Sequence, residues 1–184
     1  MKNTDDQFYI EKIKKGDPAS YAFLVNKYKD MAYTIALKVL RNAEDAEDSA
    51  QESFVKAYQQ LHKFENKSKF STWLYTIVYR TSITKLQKNK IPFFPIDEDI
   101  SENYAYDFST SQTDEILETE QSTYIKSAIG KLPQMEGLLI TLFYMNENSI
   151  REIEEITGLT ESNIKVKLFR ARKILEQELR FLLE

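Results

Sequence analysis

The chain has 184 residues, a length that suits one ordinary domain or two small ones, and its 42% hydrophobic and 29% charged content is typical of a folded protein. The absence of cysteine excludes disulfide frameworks, thiolate zinc sites and cysteine nucleophiles. The formal net charge is −4, but nine of the 29 acids lie in residues 91–120, which hold no Lys or Arg, so 25 basic residues face 20 acidic ones elsewhere.

Three helices are predicted in the first half of the chain. Asp17 is expected to begin the first by capping its free amides, with Pro18 at the first helical position. Asn42 can cap the second helix and Ser71 the third. The third helix must end before Pro92, because the residue ahead of a proline disfavours the helical conformation.

The middle of the chain differs from both flanks. Residues 92–115 contain two prolines and clustered acids without a sustained helical period. We therefore predict an acidic flexible linker that joins a helical domain at residues 1–91 to another at 116–184. The predicted fold class is all-α, with two small helical domains of which the C-terminal one contains a helix-turn-helix.

The strongest local signal is a pair of short helices near the C-terminus. Ser149 and Glu152 have the spacing of a capping box, Gly158 is expected to end the first helix, and Thr160 can cap the second. Two short helices joined by a glycine-containing turn form a helix-turn-helix, whose second helix fits the DNA major groove. Its apolar stripe faces inward, so its cations are expected to project outward: Lys165, Lys167, Arg170, Arg172 and Lys173. The alternative is a solvated basic face on an ordinary surface helix.

Two further charge patterns stand out. Residues 66–90 carry six cations and no acid, interleaved with aromatic rings, a composition that suits single-stranded nucleic acid. The alternative is that the rings, Trp73 above all, belong to the core. Residues 44–52 carry five carboxylates and no cation. Acids are favoured near a helix N-terminus, but five exceed what capping requires, so a basic protein partner is a second interpretation.

Several classes of protein are disfavoured by what the sequence lacks. His62 is the only histidine and the four glycines form no phosphate-binding loop, so we expect no catalysis, no cofactor and no metal site. A carboxylate-only metal site in the acidic linker stays open as an alternative. The charged N-terminus lacks a signal-peptide core, and no stretch approaches the roughly 18 apolar residues of a membrane span. We therefore expect a cytoplasmic protein without membrane insertion.

The runs DAEDSAQESFVKAYQQLHKFENKSKFSTWLYTIV at 45–78 and LPQMEGLLITLFYMNENSIREIEEITGLTESNIKVKLFRARKIL at 132–175 carry a resemblance. They resemble bacterial RNA polymerase sigma factors of the sigma-70 family, and more narrowly the short extracytoplasmic-function class. The resemblance implies a protein that binds core RNA polymerase, recognises and melts specific promoters, and directs transcription initiation. It implies as partners the beta-prime clamp helices and beta flap of core polymerase, duplex and melted promoter DNA, and an anti-sigma factor.

The resemblance also assigns roles to individual positions. The core-binding residues would be Asp45, Asp48, Gln51 and Glu52. The residues that hold the melted downstream promoter element would be Lys56, Phe64, Lys67, Ser68, Lys69, Phe70 and Arg80. The residues that read the upstream element would be Lys165, Val166, Lys167, Phe169 and Arg170. The residues that pack internally and also meet the beta flap would be Leu138, Leu139 and Leu142.

Three positions depart from the pattern of the class. Arg80 stands where asparagine is common and is expected to gain a phosphate contact. Gln87 stands where arginine is common, and Val166 where a small polar residue is frequent. A freestanding helix-turn-helix regulator remains a second hypothesis and a carboxylate enzyme a third. The regulator hypothesis leaves the acidic helix and the aromatic-basic loop unexplained. Only the acidic linker favours the enzyme hypothesis.

Overall fold

The computed structural model describes residues 4–88 and 120–180, and the regular structure within those two ranges is entirely helical. Short 3₁₀ turns lie at Pro18–Ser20 and Leu61–Lys63, and a π-helical turn lies at Thr141–Met145. The α-helices are α1 Thr4–Lys14, α2 Tyr21–Leu40, α3 Ala43–Gln60, α4 Phe70–Lys88, α5 Glu120–Gly130, α6 Gln134–Ile140, α7 Ile150–Thr157 and α8 Glu161–Glu178. The predicted all-α fold class is confirmed.

Helices α2, α3 and α4 pack against one another around an apolar interior. Ala32, Ala46 and Ala57 are each 0% exposed, and such small side chains let neighbouring helices approach closely. Where α3 meets α4, the hydroxyl oxygens of Ser49 and Ser82 lie 2.9 Å apart; Ser82 donates its own proton to the Val78 carbonyl, so Ser49 donates to Ser82 inside the core.

A buried carboxylate fixes α1 to α2. Asp6 is only 4% exposed, and its two oxygens lie 2.5 Å from Lys27 Nζ and 2.5 Å from Tyr28 OH. Burying a carboxylate without partners costs several kcal/mol, on the order of 3–5, so the α2 donors are needed to keep it there. Burial, and then the hydrogen bond to Asp6, raises the pKa of Tyr28, so the phenol keeps the proton that it donates.

The helix-turn-helix has the caps that the sequence predicts. Ser149 Oγ accepts from the Glu152 amide while the Glu152 carboxylate accepts from the Ser149 amide, which confirms the capping box. Gly158 ends α7 with φ at 76°, a left-handed conformation that favours glycine. Thr160 caps α8 by accepting from the Asn163 amide at 3.4 Å. The predicted helix-turn-helix is therefore confirmed.

The two described ranges share an interface. Helix α4 lies against α7 and α2 against α6, and apolar side chains from both ranges join one core cluster. Gln134 Nε2 donates a hydrogen bond to the Val39 carbonyl. Thr76 Oγ1 donates to the Glu155 carbonyl at 3.3 Å. The helix-turn-helix is thus held directly against the N-terminal helices.

Of the three helix starts predicted in the first half of the chain, one is confirmed and two are wrong. Asn42 Oδ1 accepts from the Asp45 amide at 2.9 Å and caps α3 as predicted. Asp17 does not cap α2: its carboxylate accepts from the Ser20 hydroxyl at 2.7 Å and braces the 3₁₀ turn instead. Ser71 lies inside α4, which begins at Phe70, because the first turn is closed by the Trp73 amide donating to the Lys69 carbonyl at 3.1 Å, ahead of Ser71.

The predicted linker at 92–115 lies outside the described residues, so the domain bounds 1–91 and 116–184 stay predictions. Across residues 4–88 and 120–180, no helix combines the length and the apolar character needed to cross a membrane.

Lys38 provides a pH-dependent test of the packing between α2 and α6. Burial, and then the charge of Arg41, lowers the pKa of Lys38 from 10.5 to about 8. Below pH 8 the folded state carries a buried charge that the unfolded chain solvates. Between pH 8 and 10.5 the unfolded state binds the proton that the folded state has lost, so this penalty fades.

We therefore expect the free energy of unfolding of the parent to rise relative to that of Lys38→Met as the pH increases from 8 towards 10.5, because methionine has no proton to lose. Urea unfolding at a series of pH values measures the difference. The exposed Lys63 supplies the control variant Lys63→Met, whose difference from the parent should not change in this range. A difference between Lys38→Met and the parent that does not change with pH would contradict the assignment.

Candidate nucleic-acid interface

Helix α8 exposes a mixed basic and apolar surface, which we call the reading face: Lys165, Val166, Phe169 and Arg170. Val166 is 48% exposed and Phe169 is 54% exposed. Lys165 Nζ lies 2.5 Å from Glu161 one turn earlier, and both side chains are 58% exposed. Such an exposed pair contributes little, so Lys165 is available to another anion. The placement of these four residues fits the groove-facing side of a helix-turn-helix.

Lys167 does not belong to the reading face. The residue is 7% exposed, and its Nζ lies 3.7 Å from Glu136 Oε1 on α6. The expectation that Lys167 projects outward is therefore wrong. Lys167 follows Ile164 by three residues and precedes Ala171 by four, so it shares the inward side of α8 with them. The helical spacing of Ile164, Lys167 and Ala171 in the sequence is therefore the signal that indicates an inward Lys167.

Phe64 and Phe70 flank the loop of residues 65–69, which we call the α3–α4 loop, and both are core residues. Phe64 is 4% exposed and Phe70 is 2% exposed. Their ring centroids lie 5.7 Å apart, and Trp73 packs on both rings. Lys14 Nζ donates to the Phe64 carbonyl at 2.7 Å and holds the start of the loop. Both rings are therefore enclosed in this arrangement, and the expected role of Phe64 and Phe70 in holding the melted downstream element stays a prediction.

The α3–α4 loop itself exposes polar groups. Lys67 is exposed and pairs with Glu65, and Ser68 is half-buried beside it. Lys69 Nζ lies 2.8 Å from Glu152 Oε1, so the loop contacts the first helix of the helix-turn-helix. Between the loop and α7 lies an open cleft of about 790 Å³.

The carboxylate of Glu152 makes two contacts, one with each oxygen. Its Oε2 accepts from the Ser149 amide at 2.8 Å, while its Oε1 pairs with Lys69. Burial alone would raise the pKa of Glu152, but the bonds from Lys69 and Ser149 outweigh it and hold the pKa below its ordinary value. The carboxylate therefore stays ionised at neutral pH, and the loop remains attached to α7.

Two further predicted DNA-binding residues lie close together on α3 and α4. Arg80 is exposed on α4. Lys56 Nζ lies 3.3 Å from the hydroxyl of the neighbouring Thr81 and 2.7 Å from Glu52 Oε1. Lys56 is therefore at the border between the basic surface of α4 and the acidic surface of α3.

The predicted core-binding residues lie along α3. Lys85 Nζ bridges Asp45 at 2.9 Å and Asp48 at 3.2 Å, and the bond to Asp45 is the main cause that raises the pKa of Lys85. The side chains of Asp48 and Glu52 stay 67% and 55% exposed. Asp45 is more enclosed, at 29%.

Sequence reasoning missed two apolar neighbours of these acids. Val55 is 56% exposed and Tyr58 is 42% exposed. Val55 follows Gln51 by four residues and Tyr58 follows it by seven, so all three share one side of α3. We call this surface the docking face: Asp48, Gln51, Glu52, Val55 and Tyr58. An apolar centre with a charged rim is the usual composition of a protein–protein interface.

The residues expected to meet the beta flap lie in the core. Leu138, Leu139 and Leu142 are 1%, 0% and 0% exposed. Their expected internal packing is confirmed, but none of the three is accessible to a partner in this arrangement.

Family models match both parts of the chain: the sigma-70 region 2 model matches residues 24–91, and the sigma-70 region 4 model matches residues 122–175. The chain is 33% identical over 178 residues to the ECF RNA polymerase sigma factor SigW of Bacillus subtilis. The matched region covers 93% of this chain and 95% of the relative. It is 31% identical over 181 residues to the ECF RNA polymerase sigma-E factor of Haemophilus influenzae, with 95% of both chains covered.

Solved structures share the fold. The sigma factor RpoE from Bartonella quintana, in complex with the anti-sigma factor NepR, superposes with a TM-score of 0.63 at 20% identity, over 87% of this chain and 96% of that one. CnrH, in complex with the cytosolic domain of CnrY, superposes with a TM-score of 0.61 at 17% identity, over 96% and 97%. Because both regions match in order and the relatives match over nearly the whole chain, the protein belongs to the extracytoplasmic-function family of RNA polymerase sigma factors.

Proposed function

We propose that this sigma factor holds the upstream promoter element with the reading face of α8 and core RNA polymerase with the docking face of α3. The observation that carries the proposal is the joint exposure of Lys165, Val166, Phe169 and Arg170 on a capped helix-turn-helix. A helix of this kind enters the major groove, where Lys and Arg reach phosphates and guanine edges. The acidic rim of the docking face suits the basic surface of a protein partner.

The α3–α4 loop supplies the contacts to the melted downstream element in this proposal. Lys67, Ser68 and Lys69 offer charge and hydrogen bonds to a single strand, and Arg80 and Lys56 extend the basic surface along α4 and α3. Cations of this kind neutralise phosphates and make binding dependent on salt. The buried rings of Phe64 and Phe70 form the floor that holds the loop in place.

This function requires the loop to separate from α7. Lys69 cannot serve a DNA phosphate fully while it is paired with Glu152 at 2.8 Å. Because both halves of the protein must reach their own promoter elements, the contact between α4 and α7 represents a closed state that opens in the initiation complex.

Regulation and location complete the proposal. An anti-sigma protein is the partner that would keep the protein inactive, since RpoE of Bartonella quintana was solved with one. The protein acts in the cytoplasm, where core polymerase and promoter DNA meet. It has no catalytic activity of its own, and polymerase performs the chemistry.

Run-off transcription with purified core polymerase tests the reading face. We expect Lys165→Ala combined with Arg170→Ala to lower promoter-specific initiation by about tenfold or more, because each lost groove contact removes roughly 1–3 kcal/mol. The control is Lys15→Ala with Lys29→Ala, which removes two exposed cations that lie outside α8. Binding to duplex DNA that needs no core polymerase, with no initiation, would instead support a freestanding regulator.

Charge reversal tests the docking face. We expect Asp48→Lys with Glu52→Lys to weaken binding to core polymerase by about tenfold or more, because like charges placed at an interface cost several kcal/mol. Fluorescence anisotropy of the labelled protein measures the affinity. Glu11→Lys with Asp30→Lys makes the same change in net charge on exposed positions of α1 and α2. Equal losses in both double variants would mean that net charge, and not this face, controls docking.

Glu152→Gln tests the closed state. Glutamine can keep the capping box of α7 but cannot form the ion pair with Lys69. Because Lys69 is 54% exposed, the pair contributes at most about 1 kcal/mol, so the ratio of open to closed molecules should rise about two- to fivefold. The absence of cysteine allows two dyes to be attached through Glu44→Cys and Glu176→Cys, and energy transfer between them measures the opening.

The matched control for Glu152→Gln is Glu155→Gln on the same helix. Glu155 is exposed, and its contact with Thr76 is made through the backbone carbonyl. This control should leave energy transfer unchanged. Identical energy transfer in the parent and in Glu152→Gln would show that the ion pair does not hold the halves together.

A further inference from the structure

The reading face has an apolar centre that its cations do not explain. Val166 and Phe169 are about half exposed, at 48% and 54%, and they lie three residues apart on the same side of α8. Single exposed apolar residues are ordinary on protein surfaces. Two adjoining ones, at the middle of a surface otherwise lined by Lys and Arg, need a ligand that is itself partly apolar.

Their position on the helix narrows the choice of ligand. Val166 and Phe169 lie within the first three turns of α8, whose start is capped by Thr160. In a helix-turn-helix the N-terminal part of the second helix approaches the edges of the bases, while flanking cations meet the phosphates. Lys165 and Arg170 are the flanking cations here, so the apolar pair faces the floor of the groove.

The chemistry of the two side chains narrows the choice of ligand further. Valine and phenylalanine neither donate nor accept hydrogen bonds, so they cannot read the donor and acceptor pattern of a base edge. The apolar group that the major groove offers is the C5-methyl group of thymine. Lys173 Nζ lies 4.8 Å from the centroid of the Phe169 ring and covers one ring face, which restricts how the ring can turn.

We propose that Val166 is a specificity-determining residue that selects thymine in the upstream promoter element by packing on its C5-methyl group, with Phe169 extending the same apolar contact. This inference rests on the proposed function and goes beyond it, because it names the base and the atom that are read. A small polar residue at position 166 would hydrogen-bond to a base edge, whereas valine makes a favourable contact only with the methyl group.

The test removes that methyl group and nothing else. Holoenzyme, reconstituted from core polymerase and this protein, first selects sequences from a library with a randomised upstream element. Each enriched thymine is then replaced by deoxyuridine, which lacks only the C5-methyl group. We expect one or two replacements to lower open-complex formation about fourfold, the change that corresponds to ~0.8 kcal/mol for one buried methyl group.

Val166→Ser should abolish this difference, measured as the ratio of open-complex formation on the thymine and deoxyuridine promoters by the same variant holoenzyme. The position is exposed, so the substitution leaves the core intact. The control Ile125→Ser changes an exposed apolar residue on α5 and should keep the fourfold effect. A holoenzyme that enriches no thymine in the upstream element overturns the inference. So does equal activity on thymine and deoxyuridine, and so does an effect that persists in Val166→Ser.

Failure of the inference and failure of the proposed function give different results. If the protein initiates at specific promoters but ignores the methyl group, the inference is wrong and the proposed function stands. If core polymerase with this protein shows no promoter specificity, the proposed function itself is wrong.

Discussion

The carboxylate of Glu152 links the local structure of the helix-turn-helix to the placement of the two halves. One oxygen closes the capping box at Ser149, which sets the start of α7, and the other pairs with Lys69 at the end of the α3–α4 loop. Because the same group stabilises a helix start and a contact between distant segments, the DNA-reading unit is well formed even while it lies against α4. The contact with α4 therefore leaves the capping box that begins α7 intact.

Charged pairs with little exposure position the helices, and exposed charges are left for partners. Asp6 with Lys27 and Tyr28 attaches α1 to α2, and Glu136 with Lys167 joins α6 to α8. Each of these pairs would be costly to break, because one partner alone would leave an uncompensated charge in the interior. The reading and docking faces hold exposed cations and acids, which exchange solvent for a partner at small cost.

Much of the local structure could be predicted from the sequence, because caps and glycine stops act within a few residues. The predicted helix caps and helix end are confirmed at Asn42, the Ser149–Glu152 box, Gly158 and Thr160. The predicted outward position of Lys167 is wrong because a helix facing the core buries a stripe wider than its apolar residues, and a long side chain with a partner can lie within it. The burial of Phe64 and Phe70, and the closed contact of α4 with α7, depend on segments far apart in sequence, which no local pattern reports.

The ion pair between Glu52 and Lys56 connects the docking face to the basic surface of α4. Glu52 lies on the docking face and Lys56 at its border with the basic surface of α4, and their charged atoms lie 2.7 Å apart. In the proposed function, a basic group of core polymerase that pairs with Glu52 would leave Lys56 without its partner, and a phosphate would then bind Lys56 more favourably. By thermodynamic reciprocity, a phosphate on Lys56 would strengthen the binding of Glu52 to polymerase to the same extent. Because the pair is an exposed one on a single helix turn, this coupling would be small, about 0.3–0.5 kcal/mol.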